Sequence, residues 1–187
     1  MLNKKEFENI QTALKAFEKK REAEIQTSRE IIAVSKQIIY GVHRGEDPVA
    51  LVKKIKDQVK TLDPNIRYET EMGNVAFQEF AEAVCFYELV QKGKIPSYKE
   101  LKISVQSYLL GLCDLTGEIG RKAVHDAIKG DFKSVLKMKE VTEEIYGEFL
   151  KFDLRNGELR KKSDSIKWNL NKLEDMVFAL KTGARIQ

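Results

Sequence analysis

Apolar residues at Phe7, Ile10, Leu14, Phe17, Ile25, Ile32, Ile39 and Val42 recur mostly in steps of three, four or seven, the spacing that keeps side chains on one face of an α-helix. No Pro or Gly interrupts residues 2–40, so the pattern predicts one long helix, ended by Gly41-Val42-His43-Arg44-Gly45. Asp47-Pro48 predicts a restart, the carboxylate acting as cap and the proline taking the first helical position. Leu51, Val52, Ile55, Val59 and Leu62 give this second helix its inner face before Asp63-Pro64 stops it. A third helix is predicted from about Glu69 to Val90, up to the Gly93-Lys94-Ile95-Pro96 loop. Ser97 or Ser104 can cap the next segments, and a long helix is predicted from about Val105 to Lys129, stopped at Gly130-Asp131. A helix near Ser134 to Phe152, a turn at Asn156-Gly157 and a last helix from about Glu158 to Lys181 complete the chain. The expected fold is all-α, a single-domain helical bundle of about six to seven helices over residues 1–187, because no linker or shift of composition marks a second unit.

Composition agrees with a packed helical body. Hydrophobic residues at 42% can bury a sizeable core, which excludes the disordered and collagen-like classes. With 3 Pro and 11 Gly among 187 residues, there is little material for the many tight turns of an all-β fold. Lys+Arg 33 against Asp+Glu 29 leaves 33 − 29 = +4, too little charge to decide what the chain binds. Charges recur through the first thirty residues, so no secretory signal is expected there. No uncharged apolar run reaches the roughly 18 residues of a membrane span, and the expectation is a cytoplasmic protein with no membrane partner. Cys85 and Cys113 each sit in an apolar helical stretch and read as reduced core thiols.

Charge placement carries more information than charge number. One third of the residues are charged, yet Val75–Tyr87 (VAFQEFAEAVCFY) carries only Glu79 and Glu82, and Val105–Ile119 (VQSYLLGLCDLTGEI) only Asp114 and Glu118. Windows so depleted of charge are expected to be buried against other helices. The i,i+3 and i,i+4 spacings project each acidic pair from one face of its helix. Two such faces opposed gather four carboxylates, and burying them uncompensated costs several kcal/mol or forces protonation. The compensating charge is either a divalent cation, for which oxygen ligands suit Mg²⁺ or Mn²⁺, or a basic side chain such as Lys36, Arg121 or one of Arg160-Lys161-Lys162. Both remain open at this level.

Lys36 is the sole charge in Ile31–Val42 and lines up by sevens with Arg29 and His43, with Arg44 just beyond. This stripe can follow successive phosphates of a nucleic acid or answer the carboxylates. His43 and His125 are the only histidines, and the cysteines lack CxxC spacing, which leaves little room for a zinc site. The chain has no Glu-x-x-His, Gly-rich phosphate loop, G-x-S-x-G or H-E-x-x-H. Trp168, with Tyr146 and Phe149, reads as helix-packing material rather than a base-stacking platform. The basic runs Lys19-Lys20-Arg21 and Arg160-Lys161-Lys162 read as solvated faces.

Several ordered motifs resemble the translin family, and within it the translin-associated factor X branch and archaeal proteins near it. Ser28-Arg29-Glu30 through Ser35-Lys36 and Val42-His43-Arg44 is similar to the family's first helix, Gln78-Glu79-Phe80-Ala81-Glu82-Ala83-Val84 to the factor X motif on the third, and Tyr108 through Glu118 to the family's most specific stretch. Leu159-Arg160-Lys161-Lys162-Ser163-Asp164 with Leu173-Glu174 and Leu180-Lys181 extends the likeness to the C-terminal helix. Cys113, where a small residue is usual, and His125-Asp126, where relatives often carry Asn, depart from the pattern.

The resemblance implies a barrel-like homo-oligomer, commonly an octamer, enclosing RNA or single-stranded DNA. It also implies metal-dependent endoribonuclease activity, with the acidic site on Glu79, Glu82, Asp114 and Glu118. On this expectation Glu82 and Glu118 ligate Mg²⁺ or Mn²⁺ directly, and Glu79 and Asp114 complete the shell or orient the attacking water. Arg29, Lys36, His43, Arg44 and Arg121 hold RNA phosphates. The alternatives are a non-catalytic single-stranded RNA- or DNA-binding scaffold of the translin kind, and a helical nucleotide pyrophosphohydrolase, which also pairs Glu-x-x-Glu with a second acidic pair.

Overall fold

The uninterrupted N-terminal pattern folds as α1 (Lys4–His43), a helix of 40 residues and about 60 Å. Asn3 caps it by accepting the Glu6 N–H, and Gly45, at φ +79°, lets the chain reverse after it. There follow α2 (Val49–Thr61), α3 (Glu71–Lys92), the one-turn α4 (Tyr98–Leu101), α5 (Val105–Ile128), α6 (Phe132–Phe149) and α7 (Glu158–Thr182). This computed structural model describes residues 2–62, 71–155 and 157–183, and contains no strand among them. The expected helix breaks at Asp63-Pro64 and Asn156, and the start of the third helix at Glu69, lie outside the described residues.

Helix α3 is central, packing on α1 along one side and on α5 along the other, while α6 and α7 close over α5 and α2 covers α1. The two charge-poor windows supply the interior: Phe80, Val84, Phe86 and Leu89 of α3 and Leu115 and Ile119 of α5 are completely or nearly completely buried. Each such large side chain contributes roughly 2–3 kcal/mol by leaving water. Cys85 and Cys113 are buried free thiols, as their surroundings led us to expect. Among the described residues no helix is long and apolar enough to cross a membrane.

Serines at both expected positions act as caps. Ser97 forms a full capping box with Glu100 ahead of α4, and Ser104 accepts from the Ser107 N–H at the start of α5. The α5–α6 turn is fixed by Asp126, which is buried and accepts from Lys122 at 2.5 and 2.6 Å and from the Ser134 hydroxyl at 2.6 Å. Asp131 caps α6, so that helix begins at Phe132 rather than at Ser134, and it ends at Phe149 rather than Phe152.

Three expectations are corrected. Asp47 does not cap α2: the helix starts at Val49 with Pro48 at the cap position and no side-chain cap, because the Asp47 carboxylate instead accepts the Tyr87 hydroxyl of α3 at 3.0 Å. The apolar stripe of α1 is not buried throughout, since Phe7, Ile10 and Leu14 are all more than half exposed and burial begins only beyond the midpoint of the helix. Trp168 is not packing material: it is 67% exposed and lines an open cleft of about 580 Å³ with Tyr146, Phe149 and Phe152.

Candidate functional site

Glycine at position 111 determines how closely α5 approaches α3. A Cβ there would stand 2.7 Å from the Ala81 Cβ, 2.8 Å from the Gln78 carbonyl oxygen and 3.1 Å from the Glu82 nitrogen. These distances are too short for any side chain, so the backbone of α5 lies against the turn of α3 that carries Gln78, Glu79 and Glu82. The two acidic faces are thereby opposed: Glu79 and Glu82 on α3 feel the charges of Asp114 and Glu118 on α5. From the other two sides, α1 brings Lys36 and His43 and α7 brings Lys162.

Their partners divide the four acids into two classes. Asp114 is occupied, with the Lys162 ammonium donating to both its oxygens at 3.0 and 2.7 Å and the Gln78 amide donating to Oδ2 at 2.5 Å. Glu118 is half occupied: His43 Nε2 lies 2.5 Å from its Oε2, and Arg121 approaches the same oxygen at 3.7 Å. Glu79 and Glu82 have neither a hydrogen bond nor an ion pair among the described residues, although Lys36 and Lys162 act on them at longer range.

Protonation follows the same division. Burial pushes the Glu82 carboxyl up to about 8, reinforced by the charges of Asp114, Glu79 and Glu118 and only partly opposed by Lys162. Glu79 is raised too, first by burial, with Lys36 opposing. Glu118 is lowered, chiefly by the His43 hydrogen bond, which outweighs its own burial. With Glu82 only 8% exposed, its ionised form is a charge in want of a counter-ion.

The cationic stripe is split by the structure. Lys36 is exposed and close enough to lower Glu79, and Arg121 is exposed beside Glu118. Arg29 is exposed seven residues before Lys36 on the same helix face, about 10 Å along the axis. Arg44 is exposed past the end of α1, paired with Glu46 at 3.0 Å and stacked over Tyr40. His43 leaves the stripe: its side chain is only 2% exposed, so the imidazole cannot lie on a surface phosphate and instead meets Glu118. The His43–Glu118 contact is the second of the two readings open to the stripe, an answer to the carboxylates, whereas Gln78 and Gly111 escape a reading by residue type, since each depends on what α3 and α5 bring together across the fold.

Hard oxygen donors around an uncompensated buried carboxylate suit Mg²⁺ or Mn²⁺ by their chemistry. The site is not, however, preassembled: among the described residues no three His, Cys, Asp or Glu side chains are gathered closely enough to hold an ion between them as they stand. Mutual repulsion explains this, because Asp114 turns to Lys162 and Glu118 to His43 rather than toward the other acids. Of the two readings left open by the spacing, basic partners are present on Asp114 and Glu118, and among the described residues none is in contact with Glu79 or Glu82.

Comparison with known proteins places this architecture. The model of the translin family matches residues 19–182. An uncharacterized protein of Methanocaldococcus jannaschii is 32% identical over 153 residues, covering 77% of this chain and 68% of that one. Translin-associated protein X of Rattus norvegicus is 24% identical over 94% of this chain and 77% of its own length. The match to Gallus gallus translin, 31% identical, takes in 42% of this chain and only 34% of that protein. Among solved structures, AfC3PO in complex with duplex RNA superposes with a TM-score of 0.83 at 28% identity, over 95% of this chain and 97% of that one. The chain belongs to the translin family.

Proposed function

We propose that the chain is a Mg²⁺- or Mn²⁺-dependent endoribonuclease that binds and cleaves RNA inside a closed, barrel-like homo-oligomer, an octamer. The observation that carries this reading is the partly buried acidic cluster of α3 and α5, in which, among the described residues, Glu79 and Glu82 have no basic contact and the buried Glu82 is pushed up to about 8. The similarity to translin-associated protein X and the superposition on AfC3PO in complex with duplex RNA support RNA as the substrate class.

Glu79, Glu82 and the Oε1 side of Glu118 are the oxygens left to hold the cation, while Asp114 stays with Lys162. When bound, the cation supplies Lewis-acid stabilisation of the scissile phosphate and a water of lowered pKa. The chain's own residues do the rest. Lys36 and Arg121, exposed at the edge of the site, draw a phosphodiester toward the acids, and Arg29 and Arg44 extend the contact along the backbone without reading bases. Glu82, raised by burial and by the neighbouring acids, would have to give up its proton to hold the cation, whereas Glu118, lowered by His43, is ready to do so.

Incubating the purified protein with a labelled RNA, in Mg²⁺, in Mn²⁺ or in chelator, beside the Glu82→Ala variant, tests this. Cation-dependent cleavage is expected in the wild-type lanes and is lost by at least 10²-fold in the variant, with RNA binding retained. The second reading, a non-catalytic scaffold for single-stranded RNA or DNA, is favoured by one observation: Asp114 and Glu118 already carry basic partners. Binding without cleavage in every lane decides for it.

A further inference from the structure

We propose that His43 is a positioning residue for Glu118, its buried imidazole clamping one carboxylate oxygen so that the other is presented to a divalent cation shared with Glu79 and Glu82. The inference rests on reading the acids as a cation site. His43 lies in the last turn of α1 and Glu118 in the middle of α5, 75 residues apart, and the contact joins two helices that otherwise barely meet. The ring is lodged beside Phe86 at 4.8 Å and His125 at 5.6 Å between centroids, which limits how far it can tilt.

The asymmetry of the contacts gives the clamp its direction. Both His43 Nε2, at 2.5 Å, and Arg121, at 3.7 Å, fall on Oε2 of Glu118, and among the described residues no hydrogen bond or ion pair falls on Oε1. His43 Nδ1 is buried and has no hydrogen-bond partner among the described residues. Among the described residues the carboxylate is thus the one hydrogen-bond partner of the imidazole, with the Nε2–H donated to it. Such a pair is the arrangement by which an outer histidine or carboxylate fixes the angle of a ligand, and losing the outer member typically weakens metal affinity about 10–100-fold. Because the ring is out of reach of solvent, a direct contact with RNA phosphate is not available to it.

The test is a Mn²⁺ titration followed by the electron paramagnetic resonance of the free ion, on wild type, His43→Leu and His43→Gln, with the Leu change repeated on Glu118→Gln. His43→Leu should weaken Mn²⁺ binding about 10–100-fold, and His43→Gln, whose amide can replace the lost donor, should recover most of it. On Glu118→Gln the Leu change should add nothing, since its effect runs through that carboxylate. RNA affinity in chelator should stay within about twofold of wild type in every folded variant. Should His43→Leu not fold, His43→Asn, polar but too short to reach Oε2, takes its place. Wild-type Mn²⁺ affinity in a folded Leu or Asn variant, or an equal further loss on Glu118→Gln, overturns the clamp and leaves the cation site standing. A wild-type protein that binds no Mn²⁺ overturns the cation reading itself, and the clamp with it.

Discussion

Glu82 and Glu118 are the same residue type in the same cluster, yet their surroundings move them in opposite directions. Glu82 is raised to about 8, so between its ordinary value of 4.5 and pH 8 the folded protein holds a proton that the unfolded chain has released. The stability this contributes is complete below about pH 4.5 and is lost as pH rises through 8. In chelator, the midpoint of thermal unfolding is therefore expected to fall between pH 5 and 8, and Glu82→Gln should flatten that slope and stabilise the protein at pH 8 by a few kcal/mol at most. A slope unchanged by the substitution would contradict the burial of Glu82. Glu118, lowered by His43, contributes in the opposite sense: its stabilisation is present above pH 4.5 and is lost as pH falls through its lower folded value. The four acids were legible in the sequence because a charge in a helical window that nearly excludes charge calls for a cause. Their basic partners were legible as a set, since Arg121, Lys162 and His43 all stood among the residues able to answer the acids; which base meets which acid was not, because the Glu118 contact comes from 75 residues away and the Asp114 contact from 48.

The helices themselves were legible wherever the apolar period ran long, as in α1, α3, α5 and α7, since 3.6-residue periodicity survives any tertiary context. Their ends were less so. At α2 a hydroxyl from α3 competes for the carboxylate that spacing alone would assign as a cap, and a competitor from another element cannot be seen along the chain. The same limit hides Gly111, an ordinary glycine in sequence and a point of close approach of α5 to α3 in the fold. Gly111→Ala is expected to force these helices apart, at a cost of roughly 1–3 kcal/mol, and to slow cleavage further by separating Glu82 from Glu118. Denaturant unfolding measures the first effect and the RNA assay the second. A Gly111→Ala protein as stable and as active as wild type would show that the close approach does not matter. Asp126→Ala tests the α5–α6 turn: it leaves Lys122 and Ser134 without their buried acceptor, and a loss of about 2–3 kcal/mol is expected with little change in RNA affinity.

In the whole molecule, the first half of α1 extends away from the bundle with Phe7, Ile10 and Leu14 on one bare stripe, 53%, 51% and 57% exposed. A helical segment of this length gains most of its stability from packing, and in the proposed oligomer a second copy is expected to supply it. Native mass spectrometry should give a multiple of 21.5 kDa, and Phe7→Glu with Leu14→Glu should lower the subunit number without unfolding the bundle. An unchanged mass in the double variant would mean that another surface holds the assembly. The central claim, that the acids between α3 and α5 form a cation-dependent cutting centre, is tested most directly by anomalous diffraction from crystals soaked in Mn²⁺. The expected result is one strong peak within coordinating distance of Glu79, Glu82 and Glu118, absent from Glu82→Ala crystals. Crystals that diffract well and show no peak among these carboxylates, or show one only elsewhere on the molecule, would contradict it.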